Sequence, residues 1–326
     1  MKPVIKYKNK LFKGFVLFFF ILMFLFPYAS YKGASTGLML WFINVLPSLL
    51  PFIIISNLMV QLGIAGKISR ILYPLLGRLF KVSPEGCYPI LLGFLSGLPM
   101  GAKGTADLVA TGKISKKEGN FLLSMCNNAS PIFIMSFIGI NQLRLGQIRW
   151  QLFGLIYGSS IISAIIYRSY QNIHDKKVRI STFNDNSLSF PISENKTAKL
   201  SFDIIDKSIM NGFEIVTKIG GYIILFSILA QIINTIGTSF NLLKSIVMGI
   251  LEITTGIDQI CKLRISSNTK IVLISILTSF GGLSGIAQTK SVLGESRLSI
   301  KTYISIKLIS ALIAMLLSTL YVLFFR

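Results

Sequence analysis

Residues 86–111 read GCYPILLGFLSGLPMGAKGTADLVAT, an apolar segment broken by Gly97, Pro99, Gly101 and Gly104 and carrying Lys103 and Asp107. Basic residues flank it on both sides: Lys67, Arg70, Arg78 and Lys81 before it, Lys113, Lys116 and Lys117 after it. Loops rich in Lys and Arg stay on the cytoplasmic side of a membrane. With both flanks cytoplasmic, the segment enters and returns as a re-entrant hairpin. Irregular backbone at membrane depth is tolerated only where protein or a water-filled cavity satisfies it. Ionisable residues at that depth are costly and mark function.

The surrounding chain supports a membrane setting. It has 326 residues, 52% hydrophobic and only 14% charged, against about 25% charged in soluble domains. Nearly uncharged runs cover 15–31, 37–62, 119–140, 152–167, 219–237 and 303–325. A bilayer-crossing helix needs about 20 apolar residues. The net charge of +21 sits in short loops between apolar runs, which fits the positive-inside rule and excludes nucleic acid as a partner. Cys87, Cys126, Cys261 and the lone His174 are too scattered for a metal site, which takes about four close ligands. No cofactor or metal is expected. With no nucleophile elbow or His–Cys–carboxylate cluster, the chain does not read as an enzyme.

Lys2, Lys6, Lys8, Lys10 and Lys13 place the N-terminus in the cytoplasm and precede a first helix at 13–31. This helix is read as uncleaved, the alternative being a signal peptide with small residues at Ala29 or Ala34. A second span, 37–62, contains Pro47 and Pro51; 64–82 has apolar residues at helical spacing among basic ones, an interfacial helix. Helices 119–140 and 148–168 follow. The expected organisation is 1–34 as an N-terminal transmembrane helix and 35–168 as a first repeat. A cytoplasmic polar linker, 169–207, then leads to a second repeat, 208–326. The second half holds a span at 208–237, a weakly amphipathic stretch at 240–262 with Glu252 and Asp258, a glycine-broken segment at 268–293 and a last span at 300–325.

The two broken segments align without a gap, pairing Gly97 with Gly281, Gly101 with Gly285, Thr105 with Thr289 and Ser115 with Ser299. The expected fold is all-α and polytopic, with two inverted repeats, interfacial helices and re-entrant hairpins, the second at 268–293. Transporters recurrently combine inverted repeats with discontinuous segments around a midplane site.

Hairpin tips expose helix N-termini, whose free N–H groups suit carboxylates. Candidate substrate-binding residues are Ser96, Gly97, Pro99, Gly101, Lys103, Asn127, Asn128, Ser130, Gly282 and Ser284; Asp107 and Glu252 are candidates for carrying a coupling proton or sodium ion. Glu252 reads equally as a carboxylate reaching the surface. The counter-charge of Lys103 is either Asp107, one helical turn away, or an anionic substrate, which is the reading preferred here.

The stretches WFINVLPSLLPFIIISNLM, LYPLLGRLFKV, GFLSGLPMGAKGTADL and MCNNASPIFIM resemble the YlbJ-type sporulation integral membrane proteins, and GILEITTGID resembles the nucleoside-recognition (Gate) domain. The element order also resembles concentrative nucleoside transporters. The resemblance implies a multi-pass protein of the outer forespore membrane, needed for spore cortex formation and moving dipicolinic acid, a small anionic solute. It leaves open a nucleoside or other small-solute permease, a non-transporting scaffold for spore maturation, and a homo-oligomer in the lipid bilayer.

Overall fold

A computed structural model describes residues 2–179, 201–236 and 241–326, and among these every regular element is helical. Helix α1 (Lys2–Leu25) ends at a 105° bend before α2 (Pro27–Leu40). Pro27 occupies the first turn of α2, where its missing N–H costs nothing. The helix then runs through a π turn (Trp41–Val45) into α3 (Leu46–Gln61). The break expected between 31 and 37 is therefore absent, and the expected boundary at 34 falls inside α2. Trp41 anchors this long helix by donating its indole N–H to the Val216 carbonyl at 2.9 Å.

At Leu62–Gly63 the chain turns by 93° into α4 (Ile64–Phe80). Leu72 and Leu76 pack inward against Phe80 and Ile90, while Ile71, Leu75 and Leu79 face outward. A helix at right angles to its neighbour, apolar on its outer face, has the geometry for lying along a membrane surface.

The expected first hairpin forms: α5 (Cys87–Ser96) and α6 (Met100–Ala110) pack against each other across the turn Gly97–Pro99. Gly97 adopts φ 74°, ψ −161°, a region open essentially to glycine alone. Helix α7 (Lys116–Cys126) starts with Ser115 as N-cap, its Oγ accepting from the Glu118 N–H at 3.1 Å. It stops at Asn127–Ser130 and resumes from Pro131, with π-helical geometry over Phe133–Gln142. Long helix α8 (Arg149–Arg179) follows. Helix α9 starts at Phe202 and ends at Ile236, so α8 and α9 take both ends of the expected linker 169–207. Most of that linker, 180–200, lies outside the described residues.

The second half departs from the sequence expectation. Its hairpin is α10 (Asn241–Leu251) with α11 (Ile253–Lys262), not 268–293. Gly249 and Gly256 meet so closely that a Cβ on Gly256 would stand 2.1 Å from the Gly249 Cα. The stretch expected as a hairpin runs instead as one membrane-length span, Ser267–Val292. It is interrupted where α12 (Ser267–Phe280) meets α13 (Gly282–Val292) at Gly281, φ 86°. The glycines there interrupt the helix without reversing it. The chain closes with α14 (Ile300–Phe325).

Element by element, α5–α6 thus corresponds to α10–α11, and the interrupted helix after each hairpin to the other. Cross-packing follows the same rule: α7 packs on α14 as α12 packs on α8, and the 131–142 helix on α11 as α13 on α6. Ile134, Ile138, Leu152, Ile156, Ile257 and Ile274 fill the core between them. Four described helices are long and apolar enough to cross a membrane, or six if each bent pair is one span; this is a multi-pass membrane protein.

The α7 break is held by the first hairpin. A Cβ on Gly93 would lie 1.9 Å from the Cys126 carbonyl oxygen, and one on Gly101 2.5 Å from it. Gly93→Val and Gly101→Val are each expected to abolish accumulation of folded protein in membranes. Gly154→Ala, with open space around its Cβ, is expected to accumulate like the parent. Immunoblotting and detergent gel filtration check both; normal behaviour of Gly93→Val would show that hairpin and break do not touch as described.

Candidate functional site

Four helix starts converge on one buried cavity. It is lined by Leu98 before α6, Ala129 and Ser130 before the 131–142 helix, Glu252 to Thr254 at α11, and Gly281 and Gly285 at α13. Val45 and Leu49 of α3, Ile219 and Ile223 of α9, Phe133 and Gln288 complete the wall. Helix N-termini carry partial positive charge; at α11 and at the 131–142 helix a side chain already caps a first-turn N–H. The cavity is ≈ 60 Å³, enough for only a handful of water molecules.

Glu252 joins the cavity as the N-cap of α11 and is 2% exposed. Its Oε2 accepts the Thr255 N–H at 2.7 Å and its Oε1 the Thr254 hydroxyl at 3.0 Å. The α11 dipole and these two donors favour the charged form, against the cost of burying it. The surface-reaching alternative for Glu252 is thereby excluded.

A second cavity of ≈ 310 Å³ adjoins the first, sharing Ile219 and Gln288. Pro99, Lys103 and Asp107 line it from the first hairpin, Glu214, Lys218 and Tyr222 from α9. Lys103 pairs with Asp107 at 2.8 Å and Lys218 with Glu214 at 2.5 Å. Of the two counter-charges the sequence offered for Lys103, Asp107 and an anionic substrate, the structure places Asp107 beside it within the same helix. Spacing of four residues puts both groups on one helix face, and partial exposure keeps the pair exchangeable.

The remaining candidates build the walls. Asn127 and Asn128 are buried in the α7 break. Asn127 Nδ2 donates to Thr289 Oγ1 at 2.7 Å and to the Tyr303 hydroxyl at 2.9 Å. Asn128 Nδ2 donates to the Met125 carbonyl, and its own carbonyl accepts the Leu98 N–H at 2.6 Å, tying break to hairpin tip. Ser130 Oγ caps the helix that follows, accepting from Phe133 N–H at 3.2 Å. Ser96 is buried beside the tip with its hydroxyl unpartnered among the described residues. Gly97 and Gly101 give the break room, and Gly282 lies against the second tip, where an added Cβ would be 3.0 Å from Ile253. Ser284 holds Gln288, accepting from its amide at 3.1 Å.

Lys307 is the residue the sequence reading passed over. It lies in apolar α14, 2% exposed, and donates to Asn128 Oδ1 at 2.6 Å. A lone lysine within an apolar span was the available signal. Tyr303, Gln288, Glu214 and Lys218 were likewise unassigned, because their partners are distant in sequence or their segment read as plain span.

Comparison with known proteins finds similarity to an integral membrane protein. The chain is 26% identical, over 95% of its length and 81% of the relative's, to the sporulation integral membrane protein YlbJ of Bacillus subtilis (strain 168). The family model for nucleoside recognition (Gate) matches residues 42–143. That range spans the first hairpin and the α7 break, whereas the sequence resemblance to Gate rested on GILEITTGID in the second half. No solved structure matches the chain.

Tyr303→Phe removes a donor and acceptor from buried Asn127 and is expected to cost about 1–3 kcal/mol. Asp107→Asn breaks a partly exposed pair and is expected to cost less than about 1 kcal/mol. Thermal unfolding of the purified proteins in detergent checks the order; the reverse order would contradict the assignment of wall and vestibule.

Proposed function

We propose that the chain is a sporulation transporter that carries a small carboxylate, dipicolinate, across the outer forespore membrane, with its N-terminus in the cytoplasm. The observation that carries this reading is the convergence of four helix starts, two from hairpin tips and two from interrupted helices, on one small cavity. The two hairpin–interrupted-helix units serve as inverted repeats, the plan of concentrative nucleoside transporters. Such convergence supports anion binding at the midplane. Backbone N–H groups, Ser130, Thr254 and Gln288 bind the carboxylates, and Phe133, Leu98 and Ile223 sandwich the flat ring. The paired charges of the second cavity keep it wet and form the entry vestibule. Parting of the hairpin tips enlarges the small cavity and admits the solute.

Glu252 is the coupling group of this cycle. Protonated, it no longer repels an incoming carboxylate; ionised, it reclaims the α11 N-terminus and favours release. The similarity to a sporulation membrane protein supports the physiological setting, and the Gate match makes nucleosides the natural competitors to try.

Reconstituted vesicles are expected to take up labelled dipicolinate when a proton gradient is imposed, unaffected by nucleosides. Glu252→Gln is expected to lower gradient-driven uptake at least about tenfold at unchanged abundance, since a lost coupling group removes a kinetic term of 1.4 kcal/mol or more. Competition by nucleosides with no dipicolinate uptake would make it a nucleoside permease. Absence of uptake of either, with wild-type sporulation of Glu252→Gln cells, would favour the scaffold reading.

A further inference from the structure

An interrupted helix has two new ends. The N-terminal ends of the interruptions face the solute cavity; the C-terminal end of α7, at Cys126, does not. Carbonyl groups at such an end carry partial negative charge. In transporters with discontinuous helices, unwound carbonyls and half-helix C-termini are where coupling cations bind. Here the end meets Lys307. Its ammonium lies 2.6 Å from Asn128 Oδ1, an oxygen that also accepts the Ser160 hydroxyl at 2.6 Å. It stands 5.7 Å from the Tyr303 ring centroid, on the ring's π face. Among the described residues no carboxylate pairs with it. A second buried acceptor of the same break, Asn127 Oδ1, has no hydrogen-bond partner among them.

We propose that Lys307 is a resident cation: its ammonium fills the place a bound sodium ion would take at the α7 break, so the protein is sodium-independent there. A tethered ammonium supplies positive charge without a sodium-binding equilibrium. Lys307 is a positioning residue, acting through Asn128 on the break and, through the Leu98–Asn128 hydrogen bond, on the hairpin tip. This inference rests on the transporter reading, narrowing its coupling ion to the proton at Glu252.

The test compares thermal unfolding of the purified full-length chain in sodium chloride and in choline chloride at equal ionic strength, read by the fluorescence of Trp41 and Trp150. It needs no transported solute, so a wrong substrate does not affect it. The parent is expected to unfold at the same temperature in both salts. Lys307→Ser, which removes the charge and leaves room, is expected to unfold several degrees lower in choline and to recover saturably with sodium. Lys307→Met, which fills the room without charge, is expected to lose stability in both salts. A saturable sodium effect on the parent overturns the proposal. So does a Lys307→Ser protein equally stable in both salts, or a Lys307→Met protein as stable as the parent. Should neither variant be purified, the response of the parent decides alone.

Discussion

The architecture depends on one close crossing, in which the end of α7 passes through the first hairpin at the level of the Cys126 carbonyl. Gly93 on α5 and Gly101 on α6 leave no room there for a single added carbon. With the helices that close, the Leu98 N–H reaches the Asn128 carbonyl, and the unwound Asn127–Ser130 stretch is buried. Unwound backbone at membrane depth costs several kcal/mol for each unsatisfied group. The crossing is what makes an interruption affordable, and the interruption in turn creates a helix start beside the cavity.

Much of the first half was legible because its signals are local. Gly97, Pro99 and Gly101 announce a turn by backbone chemistry alone, and the basic flanks announce that the chain returns. The amphipathic spacing of 64–82 gave α4 nearly to its ends. In the second half the same logic pointed to the wrong segment. Gly281, Gly282 and Gly285 look like a tip but lie where a span is merely interrupted. The true tip, Leu251–Ile253, contains neither glycine nor proline. There the turn is made by Glu252, extended at φ −144° and ψ 116° and capping α11 with its carboxylate. Its glycines, Gly249 and Gly256, sit in the legs and allow contact rather than reversal. The gap-free sequence alignment therefore paired the first hairpin with an interrupted span.

The site was legible in its parts and not in its pairings. Ser130 and Glu252 do line one cavity, but Lys103 lies next door with its charge already matched. Lys307 was visible as a charge inside an apolar span, at a cost of about 2.5–3.5 kcal/mol on insertion scales. What offsets that cost, Asn128, lies 179 residues away, and no periodicity or spacing reports such a contact.

The two interruptions differ in backbone, four unwound residues at Asn127–Ser130 against one left-handed glycine at Gly281, and in what meets their C-terminal ends. At the first stands a lysine ammonium. At the second, Ser279 near the end of α12 contacts Ser159 of α8 at 3.1 Å, and Ser159 contacts Ser310 of α14 at 3.2 Å. Hydroxyls rotate and exchange partners at little cost, whereas a buried ammonium that leaves its acceptor faces a full desolvation penalty. The break next to the first hairpin is therefore the stiffer of the two, and the serine-lined break next to Glu252 the more readily deformed. Under the proposed transport cycle, motion that opens the cavity falls on the side that carries Glu252.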